Sequence, residues 1–209
     1  RFERSLEKVT SEIPAPKRQQ NRSEETVDNV YSPGEVFDNT PDTDTSLAHN
    51  REWGKQILAR AENSDLGREL VEKSVLTSED QVLDAVARAK EAGREWGSRP
   101  AHERAEILRK AGRVLGARRA ELLEVMASEA GKLLDQGDPE VSEAIDFANY
   151  YAGLAEALEK VDGAQYHPSQ VTMVTPPWNF PVAIPTGSTL AALAAGSAAV
   201  SYTHLTLPT

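Results

Sequence analysis

The residues best placed to do chemistry in this 209-residue sequence lie in a proline-rich loop with one asparagine between two aromatic side chains. The loop reads Pro-Pro-Trp-Asn-Phe-Pro at residues 176–181 and follows a β-type run at residues 171–175. Its three prolines restrict the backbone. An amide N–H fixed in a dry crevice is a good donor to a developing oxyanion, so Asn179 is a candidate catalytic residue. The alternative is that Asn179 only satisfies the backbone of its own loop.

Other chemical candidates carry weaker signals. Glu140 and Glu143 share a helix face, as an acid/base pair does, but two carboxylates at this spacing are more typical of a solvated face. The four histidines have no metal-ligand spacing, so no metal site is predicted. The chain contains no cysteine, which excludes a disulfide framework and a cysteine nucleophile within these residues.

Charge excludes further classes of function. The 33 acidic residues outnumber the 23 basic ones, giving a net charge of −10. This balance argues against a nucleic-acid partner, and acids also intersperse the basic stretch at residues 104–119. No apolar run approaches the roughly 20 residues of a membrane span, and none near Arg1 resembles a signal peptide. We therefore expect a cytoplasmic protein without a membrane span.

The elements that must position the loop are mostly helical. Asn50 is a predicted helix cap, Thr77 precedes Asp80 in an N-cap pattern, and Gly131 fits a helix end. The pair at residues 138–139, Asp-Pro, predicts the start of a further helix. Residues 1–45 are too poor in apolar side chains to form a core, and their composition predicts a largely disordered linker.

The period of the hydrophobic pattern changes at residue 171. Residues 171–175 read as a strand, residues 186–196 as a buried, alanine-rich helix, and residues 198–200 as the start of a second strand. This order is typical of a βαβ unit and of the α/β class. Residues 163–209 carry no Asp, Glu, Lys or Arg, which is typical of a parallel sheet buried on both faces or of a cleft lining.

Four ordered motifs resemble the aldehyde dehydrogenase superfamily. They are Pro-Trp-Asn-Phe-Pro at residues 177–181, the Trp-to-Ala helix at 96–111, Glu-Ala-Gly-Lys at 129–132, and the helix with Glu-Ala-Ile-Asp-Phe at 143–147 and Tyr-Tyr-Ala at 150–152. The resemblance implies an α/β fold: an N-terminal helical part and the first βαβ unit of a Rossmann-like domain, incomplete in this chain.

A narrower likeness concerns bifunctional proline utilization A enzymes, which join a flavin-dependent proline dehydrogenase to an L-glutamate γ-semialdehyde dehydrogenase. Residues 37–44 and 50–53 resemble their linker. On this likeness residues 1–45 are an interdomain linker and residues 46–200 the N-terminal part of the NAD-binding domain. Residues 201–209 are a tail foreign to the family. FAD then belongs only to a flavin domain expected before Arg1.

The resemblance also implies a mechanism. A cysteine thiolate attacks the small-molecule aldehyde, hydride passes to NAD, and a glutamate-activated water releases the acid. Asn179 corresponds to the amide that stabilises the oxyanion. Thr175, Pro177 and Trp178, with Asn179, correspond to the segment against the nicotinamide ribose. The family further implies a homo-oligomeric full-length protein.

Several family features are absent from the sequence. It has no cysteine, no Glu-Leu-Gly-Gly-Lys motif, and no Lys-Pro shortly after Val200. Pro176 also stands where the family usually has Ser or Thr. We therefore expect this chain to be inactive alone. Two alternatives remain: a helical interaction module whose proline-aromatic loop docks on a partner, and an aldehyde dehydrogenase of other specificity.

Overall fold

The computed structural model describes residues 8, 19–33 and 36–201. These residues form a short 3-10 helix at Arg22–Glu24, seven α-helices and a two-stranded sheet. The helices and strands are α1 (Ala48–Ala61), α2 (Arg68–Ser74), α3 (Glu79–Ser98), α4 (Ala101–Ala117), α5 (Arg119–Ala130), α6 (Leu134–Leu158), β1 (Val171–Val174), α7 (Ala183–Ala194) and β2 (Ala198–Ser201). No helix in the described part is long and apolar enough to cross a membrane.

Strands β1 and β2 pair in parallel, with Val171 opposite Ala198 and Val174 opposite Ser201, and α7 connects them. The predicted βαβ unit is therefore confirmed. Helix α7 begins three residues earlier than the sequence pattern indicates, directly after the proline-rich loop. Parallel strands need such a crossover helix because no tight turn can join them.

Helix α3 packs so closely against the βαβ unit that their backbones approach each other at two glycines. A Cβ atom added at Gly97 would lie 2.7 Å from the Gly196 carbonyl oxygen, and one added at Gly93 would lie 2.9 Å from the Gln170 carbonyl oxygen. The indole N–H of Trp96 donates to the Leu193 carbonyl at 2.8 Å. The two glycines thus allow close approach, and the tryptophan fixes α3 against the end of α7.

Helix α6 is the centre of the core, because both hydrophobic clusters include it. One cluster joins α6 to α4 and α7, and the other joins it to α1 and α5. The first comprises Ala101, Ala105, Leu108, Ala148, Ala152, Ala155, Leu190 and Ala194. The second comprises Ile57, Leu123, Met126, Val141, Ala144, Ile145 and Val182. Alanine side chains keep α4 and α6 close, and Val182 ties the start of α7 to the second cluster.

Three helix starts differ from the sequence predictions. Ser78, not Thr77, caps α3, because its side chain accepts from the Gln81 amide while the Gln81 side chain bonds back. Helix α1 begins at Ala48, so Asn50 lies inside it. Helix α6 begins at Leu134, so the Asp-Pro pair at residues 138–139 lies within the helix instead of starting it. The predicted end of α5 at Gly131 is confirmed by its left-handed φ of 62°.

Asp138 and Asn50 do not cap helices because both anchor the chain that precedes α1. The Asp138 carboxylate accepts from the Thr43 amide and hydroxyl, each at 2.6 Å, and from the buried Arg119 guanidinium at 2.9 Å. Asn50 accepts from the Arg22 amide at 3.0 Å. These groups therefore serve partners distant in sequence and not the nearest helix end.

A second carboxylate of α6 holds the same N-terminal segment. Asp146 accepts from the Thr40 amide and from the Asn39 side-chain amide, both at 2.7 Å. Composition predicted disorder for residues 1–45, whereas the described residues 19–33 and 36–45 make these specific bonds. Residues 1–7, 9–18 and 34–35 lie outside the described part, as do residues 202–209 of the predicted foreign tail. The role as an interdomain linker stays a prediction.

Candidate functional site

The proline-rich loop leaves the carboxyl end of β1 and leads into α7. Thr175, Pro177, Trp178 and Asn179, the four predicted site residues, all lie on this one exposed segment, and Trp178 is 62% exposed. Ligands of open parallel sheets bind at this end of the strands. The four residues therefore lie together at the carboxyl end of β1, and their role in binding a dinucleotide stays a prediction.

Lys132 contacts the proline-rich loop and directly follows Gly131, whose backbone is left-handed. The amides of Gly131 and Lys132 both donate to the Met126 carbonyl, and this turn directs the chain out of α5. The Lys132 ammonium donates to the backbone carbonyl of Asn179 at 3.0 Å. It also lies 4.4 Å from the centre of the Phe180 ring, a cation–π distance.

Glu140 of α6 pairs with Lys132 beside the proline-rich loop. Both of its carboxylate oxygens accept from the Lys132 ammonium at 3.2 Å, and the backbone N–H groups of Val182 and Ala183 face the carboxylate and favour its charged form. Its side chain is only 1% exposed and that of Lys132 11%. Burial raises the pKa of the Glu140 carboxyl above its ordinary value, while the bonds from Lys132 and the two amides oppose that rise.

The interpretation of Glu140 and Glu143 as one solvated face is wrong for Glu140. Glu143 is exposed, but Glu140 is buried because it faces Lys132 and the start of α7. The two carboxylates therefore do not form an acid/base pair. Charge spacing could not separate them, since the partner of Glu140 lies on another helix.

Sequence reasoning also missed Lys132 as a residue of the site. The Glu-Ala-Gly-Lys motif at residues 129–132 resembles the family's motif, but the sequence assigns no chemical role to its lysine. A lysine directly after a helix-ending glycine was the available signal, because the left-handed turn redirects that side chain away from its own helix. Its target at Asn179, 47 residues further on, could not be identified from spacing.

The arrangement leaves the Asn179 amide available. Its side chain is exposed at the carboxyl end of β1, and the choice between a donor role and bonding to its own loop backbone stays a prediction. Its backbone is fixed through Lys132 while its side chain stays exposed. Such a group can donate to an oxygen that gains negative charge.

The residues around the loop offer groups that could contact one end of a dinucleotide. Thr175, Pro177 and Trp178 are exposed at the strand end, and residues 163–201 themselves carry no charged side chain. The hydroxyl of Thr175 can hydrogen-bond a ribose, and the apolar faces of Pro177 and Trp178 can contact a flat ring. In the described residues no group of three or more His, Asp or Glu side chains could hold a metal ion.

Comparison with known proteins gives a consistent set of similarities. Residues 61–204 match the sequence profile of the aldehyde dehydrogenase family. The chain is 36% identical over 144 residues to a 1-pyrroline-5-carboxylate dehydrogenase of Staphylococcus aureus, covering 64% of this chain and 28% of that protein. It is 36% identical over 148 residues to the bifunctional protein PutA of Salmonella typhimurium, covering 69% of this chain and 10% of that protein.

A solved structure shares the fold. Proline utilization A from Bdellovibrio bacteriovorus, inactivated by N-propargylglycine, superposes with a TM-score of 0.70 at 26% identity, covering 82% of this chain and 22% of that one. The predicted fold class, a partial domain of this type with an N-terminal helical part and a first βαβ unit, is confirmed. The chain spans about a quarter or less of the length of these proteins.

Proposed function

Because this chain belongs to the aldehyde dehydrogenase family, we propose that it is the N-terminal part of an enzyme that oxidises L-glutamate γ-semialdehyde to glutamate in proline catabolism. The observation that carries this proposal is its similarity to both 1-pyrroline-5-carboxylate dehydrogenase and bifunctional PutA at 36% identity. The semialdehyde is the open-chain form of 1-pyrroline-5-carboxylate. Family membership favours this enzyme over the interaction module.

Asn179 supplies the oxyanion donor in this proposal. When a nucleophile adds to the aldehyde carbon, the carbonyl oxygen gains negative charge, and a fixed amide N–H stabilises that charge more than it stabilises the neutral aldehyde. The exposed Asn179 side chain on a restrained loop supports this role.

NAD is the proposed cofactor, and Thr175, Pro177, Trp178 and Asn179 are the residues of this chain that would hold its nicotinamide ribose end. When bound, NAD accepts the hydride that leaves the aldehyde carbon. The chain's own part is to present an exposed, uncharged strand end to the ribose and ring and to keep Asn179 beside the reacting oxygen. FAD has no proposed site in these residues and belongs to a proline dehydrogenase domain.

The 209 residues alone are proposed to be inactive. The family's nucleophile is a cysteine, and this chain has none. Residues 1–45 are proposed as interdomain linker, residues 46–200 as the start of the NAD-binding domain, and residues 201–209 as a foreign tail. The family match ends at residue 204 and so includes the first four residues of the proposed tail. The full-length protein is proposed to be cytoplasmic. It is also proposed to be a homo-oligomer, and light scattering on the purified enzyme tests this oligomeric state.

The experiment uses the complete polypeptide encoded by the reading frame that contains these residues. We expect NADH formation with L-glutamate γ-semialdehyde at a higher kcat/KM than with other small aldehydes. Asn179→Ala should lower kcat by about 100- to 1,000-fold, the usual loss for one oxyanion donor. A preference for another aldehyde would reject the substrate, whereas an unchanged kcat in Asn179→Ala would reject the oxyanion role.

The same assay on the 209-residue chain tests its proposed inactivity. We expect no NADH above the rate of a sample without protein. Turnover by this chain would show that the reaction needs no cysteine and would overturn the proposal that these 209 residues are inactive alone.

A further inference from the structure

We infer that Lys132 and Glu140 are positioning residues for Asn179, through which the end of α5 and the first turns of α6 set the orientation of the oxyanion donor. This role rests on the function proposed above for Asn179. Neither side chain was among the predicted site residues, and neither touches the reacting atoms.

The pair acts on the loop at two points, and both follow the Cα of Asn179 in the chain. Lys132 bonds the carbonyl of Asn179 itself at 3.0 Å, which fixes the peptide plane that follows its Cα. The amides of Val182 and Ala183, where the loop enters α7, face the Glu140 carboxylate and lower its pKa. The ammonium and carboxylate also bond each other, so the two anchor points form one unit.

The loop has little other support on its outer side. Trp178, Asn179 and Phe180 are all exposed, at 62% for Trp178 and 41% for Phe180. The ammonium under the Phe180 ring adds one further contact from the same lysine. Since a displacement of about 1 Å in a reacting group can lower a rate by about 100-fold, the anchors that limit loop movement bear directly on catalysis.

Burial strengthens the ion pair at the base of this unit, whereas the bond from Lys132 to Asn179 lies at the surface. With side chains 11% and 1% exposed, the Lys132–Glu140 pair lies where hydrogen bonds are electrostatically stronger than in water. A buried ion pair contributes little net stability compared with apolar side chains of the same size. Net stability therefore does not account for this pair, whereas the bond that the ammonium makes to Asn179 gives it a role.

The test is a double-mutant cycle in the complete polypeptide, with kcat and KM for the semialdehyde as readouts. Lys132→Met removes the ammonium at nearly constant length, and Asn179→Ala removes the donor. Lys132→Met together with Glu140→Gln removes both charges of the pair, so no lone buried charge remains if the single variant fails to fold. Glu143→Gln, an exposed carboxylate of the same helix, is the matched control.

We expect Lys132→Met to lower kcat by about 10- to 100-fold with KM changed by less than about threefold. In the Asn179→Ala background the same change should lower kcat by less than about twofold, because the group it positions is already gone. The charge-free double variant should behave like Lys132→Met, and Glu143→Gln like the unmodified enzyme.

Equal losses from Lys132→Met in both backgrounds would overturn the inference, because they would show an effect that does not pass through Asn179. So would an unchanged kcat in a folded Lys132→Met or charge-free variant. These outcomes differ from failure of the proposed function, in which Asn179→Ala itself leaves kcat unchanged.

Discussion

Asp138 fastens the N-terminal segment to the helical core, and its charge can be removed with little change of shape. The substitution Asp138→Asn keeps one acceptor oxygen but places an NH₂ group in place of the other. The Thr43 amide, which donates to Asp138 at 2.6 Å, then faces a second donor. The Arg119 guanidinium, only 1% exposed, loses the carboxylate that neutralises it.

The size of the effect follows from these two losses. A hydrogen bond to a charged group contributes about 1.5–3 kcal/mol, and removing one partner of a buried ion pair costs about 3–5 kcal/mol. Asp146 continues to hold Thr40, so we assign about 2–3 kcal/mol to local opening of residues 36–45. At about 1.4 kcal/mol per factor of ten, amide exchange in that segment accelerates about 30- to 140-fold.

Hydrogen–deuterium exchange followed by mass spectrometry measures this directly in the complete polypeptide. Peptides spanning residues 36–45 should show the acceleration, and peptides from α7 should not. Asp135→Asn, an exposed carboxylate in the first turn of α6, is the control and should leave both unchanged. Exchange at residues 36–45 within about threefold of the unmodified protein, or equal acceleration in α7, would refute the reasoning.

Three further substitutions test the packing of α3 and the pH dependence of an ion pair between α4 and α6. Gly97→Ala places a methyl group 2.7 Å from the Gly196 carbonyl, so we expect about 1–3 kcal/mol of destabilisation in urea unfolding. Gly153→Ala, which has open space around its Cβ position, should be neutral or stabilising, and equal losses at both sites would contradict the close packing of α3. The bonds from Arg109 hold the pKa of Glu156 below its ordinary value of 4.5, so its contribution to stability is full above that pH and is lost as the pH falls through the lowered pKa. Glu156→Gln should therefore flatten the pH dependence of the unfolding midpoint below about pH 4.5, and an unaltered slope would reject the linkage.

The sequence allowed the βαβ unit to be predicted because its signals are local. Alternating β-type residues, a proline-rich break and an alanine-rich run lie within about 30 residues of one another, and each fixes the period of one element. Gly131 was predicted correctly for the same reason, since a helix-ending glycine is recognised from its immediate neighbours. The position of the loop at the strand end followed from that order of elements.

The support of the loop could not be predicted in this way. Whether Glu140 is solvated depends on Lys132 and on the amides of Val182 and Ala183, which lie on other elements. The Asp-Pro pair predicted Asp138 as a helix cap because this pair commonly starts a helix. In the structure its carboxylate instead accepts hydrogen bonds from Arg119 and Thr43. Pattern reasoning thus located the element that carries Asn179 and missed the side chains that hold it.

The bonds between the N-terminal segment and α6 impose an order in time during synthesis. Thr43 leaves the ribosome 95 residues before Asp138, and Thr40 leaves 106 residues before Asp146. At about 5–20 residues per second, residues 36–45 wait about 5–20 seconds for their partners. Their polar, charge-rich composition keeps them hydrated during that interval. Docking of this segment therefore cannot precede the synthesis of α6.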